Sequence, residues 1–74
     1  MFRKIKANEL KVGDVFTQKG KYLYPHVVTH IDGISENDRL IRVTYDWINK
    51  TYGYYVQDCV EVLAKEVEVY RFII

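Results

Sequence analysis

Apolar and polar residues alternate most regularly from Leu40 to Trp47. Ile41, Val43, Tyr45 and Trp47 fall on one face, and Leu40, Arg42, Thr44 and Asp46 on the other. A period of two predicts a half-buried strand. The run from Tyr22 to Asp32 is interrupted by Pro25. Proline cannot donate to a ladder, so an edge or a break is predicted there. Beyond it, Val27, Thr29 and Ile31 are expected on one face and Val28, His30 and Asp32 on the other. Tyr52 to Val56 reads as a short aromatic strand, with Gly53 predicting a bulge or a close backbone approach. Val67 to Ile74 closes the chain as a strand, with Tyr70, Phe72 and Ile74 on one face and Arg71 and Ile73 on the other.

Cys59 to Leu63 fits two patterns. As a strand it would turn Val60 and Val62 inward around Glu61. As a helix it would align Val56, Val60, Leu63, Ala64 and Val67, with Asp58 and Glu61 forming a capping box. Paired valines and the shortness of the segment favour a strand. Turn signals at Gly13-Asp14, Lys19-Gly20, Asp32-Gly33, Ser35 to Asp38 and Asn49-Lys50 have the spacing of a sandwich or barrel. The expected architecture is all-β, a small antiparallel barrel or curled sheet of five to six strands. An α+β fold with one short helix near residues 58–66 is the alternative.

The stretch Leu10-Lys11-Val12-Gly13-Asp14-Val15 sets apolar anchors around a tight turn. Gly13 supplies the positive φ such a turn requires, and Asp14 is expected to accept hydrogen bonds from amides just beyond it. The pattern resembles the opening of small SH3-like barrels, and the order of elements over about residues 5–63 resembles small phage-encoded proteins of that fold. The resemblance implies an SH3-like barrel and a phage origin, and transfers no functional residue. The same stretch is similar to the start of KOW elements of ribosomal and transcription-associated proteins. Where that family has a Gly- and Lys-rich RNA-contacting loop, this chain has Tyr22-Leu23-Tyr24-Pro25-His26.

With 74 residues the chain is expected to form a single domain, 1–74. Only Cys59 is present, so no intrachain disulfide forms, and no Cys/His cluster has zinc-site spacing. No run approaches the roughly 20 apolar residues of a membrane helix, and the N-terminus lacks a signal-peptide pattern, so a cytoplasmic protein is expected, in a bacterial host if phage-encoded. The formal charge of +1 is unevenly placed. Residues 1–21 carry six Lys/Arg against two acids (+4), and residues 22–74 carry five against eight (−3).

No phosphate loop, dinucleotide fingerprint or metalloprotease motif occurs, so an enzyme is not expected and no cofactor is implied. His26 and His30 are four apart on extended chain, roughly 13 Å, too far to share a metal; both are expected to be half-exposed. Cys59 is expected to be structural. The informative surplus is aromatic: seven Tyr, three Phe and one Trp, 15% of the chain. Phe16, Tyr45 and Trp47 are assigned to the core. Tyr22, Tyr24, Tyr52, Tyr54 and Tyr55 are candidates for a surface that binds a protein, since exposed Tyr is the currency of interface hot spots. The expected function is a small binding module that occupies a surface of a host or viral protein, inhibition of a host protein being one form of this. A nucleic-acid module using Arg3, Lys4, Lys6, Lys19 and Lys21 with adjacent tyrosines is the alternative. A homo-oligomer assembled through Tyr70, Phe72 and Ile74 is the third. A terminal strand apolar on both faces needs cover, either from Phe2 to Lys6 or from another subunit.

Overall fold

The turn at Gly13 sets the first corner of the chain. Asp14 N–H donates to the Lys11 carbonyl (3.0 Å), and Gly13 sits at φ 95°, a region that favours glycine. The Asp14 carboxylate accepts from the Lys11 N–H (2.9 Å), so it ties down the amide three residues before it rather than those beyond. The computed structural model describes residues 1–18, 25–34, 37–49 and 52–73.

The described residues form six strands: β1 (Phe2–Lys6), β2 (Val15–Thr17), β3 (His26–Ile34), β4 (Asn37–Asn49), β5 (Tyr54–Ala64) and β6 (Glu68–Phe72). A 3-10 turn, Ala7–Glu9, links β1 to the Gly13 corner. All ladders are antiparallel, in one sheet ordered β1-β6-β2-β3-β4-β5. The all-β expectation holds, and the 58–66 helix does not form, because β5 runs through to Ala64. Among the described residues no ladder joins β1 to β5, so the sheet curls without closing as a barrel. Instead the 3-10 turn is clipped to the β5–β6 connection, with Ala7 N–H on the Val67 carbonyl (2.8 Å) and Asn8 N–H on that of Lys65 (3.1 Å).

The core gathers Ile5, Ala7, Leu10, Phe16, Val28, Ile41, Val43, Tyr45, Leu63 and Val69, with Ile31, Trp47 and Cys59 packed against it. Ile41, Val43, Tyr45 and Trp47 therefore share the inner face of β4, as their alternation predicts. Phe16 and Tyr45 lie in the core as assigned, and Trp47 packs half-buried against it. Two other phases are wrong, each because of a bulge. In β3 the register slips between Val28 and His30, so His26 and Val28 point inward and, past Thr29, Ile31 does. His26 is buried (4% exposed) rather than half-exposed, while His30 is exposed.

In β5 the slip lies between the pairs Tyr45↔Cys59 and Trp47↔Val56. Gln57 and Asp58 stand opposite Asp46 alone, and Asp58 takes φ 56°. This bulge joins the two short strands expected at Tyr52–Val56 and Cys59–Leu63 into one. It also reverses the second: Cys59, Glu61 and Leu63 face the core, and Val60 and Val62 face outward. Gly53 (φ 72°) belongs to the turn before β5 and has nothing near its missing Cβ, so neither the bulge nor a close approach is there. Asp32-Gly33 lies within β3 rather than in a turn. Among the described residues no helix is long and apolar enough to cross a membrane.

Candidate functional site

The β5 bulge is built around one carboxylate. Asp46 Oδ1 accepts the Asp58 N–H (3.0 Å), and Oδ2 accepts the Tyr55 hydroxyl (2.7 Å). Asp tolerates the left-handed conformation at position 58 better than most residues, which lets the extra residue fit. The Asp58 amide, then the Tyr55 hydroxyl, hold the Asp46 carboxyl below its ordinary range. The same bond to Asp46 raises the Tyr55 hydroxyl pKa. Tyr55 is 52% exposed and Tyr52, in the preceding turn, 75%. One end of the β4–β5 hairpin thus presents two tyrosines and two carboxylates, with one ring oriented by a hydrogen bond.

The other sequence candidates are placed as follows. Tyr22, Tyr24, Lys19 and Lys21 lie outside the described residues, as do Ile74 and the side chain of Tyr54. The basic group on β1 is exposed but largely answered by acids: Lys4 Nζ lies 3.3 Å from Glu68, and Lys6 Nζ 2.9 Å from Glu66. The Glu66 hydrogen bond and charge raise the Lys6 pKa. Arg3 pairs across the ladder with Arg71, whose guanidinium lies 3.9 Å from Asp14. Tyr70 and Phe72 lie on β6, which is bonded on one side to β1 and on the other to β2. The terminal strand therefore takes the first of its two expected covers, Phe2 to Lys6, and Phe2 meets Phe72 edge to face (5.4 Å).

Inside, His26 stacks on Tyr45 (4.3 Å, 12°), and Phe16 meets both rings edge-on. Tyr45 reaches Glu61 with its hydroxyl (3.3 Å). Burial, and then the Glu61 charge, push the Tyr45 pKa up to about 12. Cys59 is half-buried opposite Tyr45. Among the described residues no group of three or more His, Cys, Asp or Glu is placed to hold a metal.

Two features escaped the sequence. Asp46 reads there as one polar residue of an alternating strand, and its role appears only once β5 is paired with β4. Val60 (58% exposed) and Val62 (49%) make an apolar outer stripe on β5, with Arg42 and Thr44 as their cross-strand neighbours. The only available signal was Asp58, a residue suited to positive φ, placed just before the alternating run. Comparison with family models, with curated proteins and with solved structures finds no match.

Proposed function

We propose that this chain is a non-enzymatic binding module that takes a protein partner on the Tyr52/Tyr55 end of the β4–β5 hairpin. The observation that carries this is the Tyr55 ring, half-exposed yet held by Asp46 at 2.7 Å. A pre-oriented aromatic gives up less side-chain freedom on binding, so more of its contact energy appears as affinity. A protein is favoured over a nucleic acid because Asp46 and Asp58 stand beside these tyrosines and would repel phosphates. On β1, Lys4 and Lys6 already face Glu68 and Glu66. With the likeness of the Leu10–Val15 turn to phage-encoded SH3-like proteins, the module is proposed to act in a bacterial cytoplasm by occupying and inhibiting a host protein.

Affinity capture from bacterial lysate, with Tyr52→Ala and Tyr55→Ala alongside the unaltered chain, tests this. A partner held by the unaltered chain should be lost with Tyr55→Ala and held more weakly with Tyr55→Phe, which keeps the ring but loses the Asp46 bond that orients it. Identical captures by all forms would refute the tyrosine surface. Retention on heparin that falls steeply with salt would move the function to nucleic acid.

A further inference from the structure

The open sheet has two outer strands among the described residues, β1 and β5, and they differ in charge. β1 reads Phe-Arg-Lys-Ile-Lys, with three cations and no acid. β5 from Tyr54 to Ala64 carries Asp58 and Glu61 and no cation. The uneven charge along the chain thus becomes a difference between the two ends of one sheet.

Their backbones are also in phase. Ile73 N–H on the Met1 carbonyl and Ala7 N–H on that of Val67 bracket the β1–β6 ladder, so its odd-numbered residues face β6. Phe2 and Lys4 consequently direct their N–H and C=O groups to the open side, while the Lys6 N–H is taken by the Glu9 carboxylate (3.2 Å). On β5, Lys65 N–H on the Arg39 carbonyl sets Cys59, Glu61 and Leu63 against β4, and Val60, Val62 and Ala64 outward. Outward-directed backbone coincides on both strands with outward-facing side chains, so an antiparallel pairing satisfies ladder and faces together.

We infer that β5 accepts β1 of a second copy of this chain, in the register that sets Cys59, Val60, Glu61 and Val62 opposite Ile5, Lys4, Arg3 and Phe2 of that copy, with the bulged Asp58, whose N–H is held by Asp46, meeting Lys6 through side chains alone just beyond the ladder. This register makes two opposite-charge pairs (Asp58 with Lys6, Glu61 with Arg3) and two apolar ones (Cys59 with Ile5, Val62 with Phe2). A slip of two residues one way leaves one charge pair, and the other way none. β5 against β5 opposes only acids, and β1 against β1 only cations. Within one chain the pairing cannot form. Asn8 is bonded to Lys65, which keeps the end of β1 roughly 20 Å of strand from Asp58. The exposed Lys6–Glu66 contact that Lys6 would exchange is worth little.

Each copy offers one edge and accepts on the other, so association is head-to-tail and extends to rings or filaments. Four residue pairs make a contact far smaller than a standard interface of about 1,600 Å², so association is expected at concentrations on the order of 0.1 mM and above.

Light scattering and sedimentation over concentration, at low and high salt, read this directly. The chain should rise above its 8.8 kDa monomer at low salt and return to it at high salt. Val60→Pro removes an N–H that points to the open edge of β5, and Lys4→Pro does the same on β1, neither touching an existing ladder bond. Each variant alone should remain monomeric, and an equimolar mixture should form a dimer and stop there. A mixture that stays monomeric, an unaltered chain that never associates, or a Val60→Pro chain that associates normally would overturn the inference. Where a proline variant fails to fold, Asp58→Asn and Lys6→Gln replace it. Both should weaken association several-fold and flatten its salt dependence, and unchanged association would count against the pairing. Tyr55→Ala should leave it intact, which separates this result from the fate of the tyrosine surface.

Discussion

Asp46 shows how one polar residue can decide a local structure. Its two oxygens hold an amide and a hydroxyl on the neighbouring strand, and both bonds need the carboxylate or a close mimic. Because its folded pKa lies below the ordinary 3.8, its contribution is present above that value and is lost as the pH falls through the lowered one. Asp46→Asn keeps one acceptor and loses the charge. Hydrogen exchange followed by NMR should therefore show the Asp58 amide less protected in Asp46→Asn than in the unaltered chain at neutral pH. The two should converge in acid. Equal protection at neutral pH would mean that the bulge is held by something else. None of this was legible in the sequence, where Asp46 and Asp58 are twelve residues apart and have no local reason to meet.

At the scale of elements, the strand over Leu40–Trp47 was readable because β4 carries no register break through that stretch on the face that packs inward. β3 and β5 were readable as strands but not in their facing. An alternating run states that two faces exist, and a single extra residue upstream exchanges them. Val60 and Val62 satisfy β-propensity equally well on either face. The structure makes the difference measurable. Val60→Lys and Val62→Lys should leave the denaturation midpoint nearly unchanged, whereas Leu63→Ala should cost about 2–5 kcal/mol. A large loss from Val60→Lys would restore the inward facing expected from the sequence.

For the whole molecule, stability rests on one core centred on Phe16, His26 and Tyr45, and the sheet around it stays open. Tyr45 has a folded pKa of about 12 against an ordinary 10.0. Its contribution is complete below pH 10 and is lost as the pH rises towards 12. Alkaline unfolding followed by circular dichroism, with phenolate absorbance in parallel, should show the last tyrosine ionising together with loss of structure. Tyr45→Phe should flatten the decline in stability over that interval. The same decline in both proteins would remove Tyr45 from the account.

Composition and periodicity were enough to determine an all-β domain, its principal inward-facing strand and a tight turn at Gly13, because these depend on side-chain alternation and local backbone preference. Only the tertiary structure decided that the barrel stays open, that Val60 and Val62 face outward, that His26 is buried and that Tyr55 is clamped by Asp46. Each of these depends on which strands become neighbours and where a register slips. Those outcomes are set by packing between residues far apart in the chain, which no local pattern records.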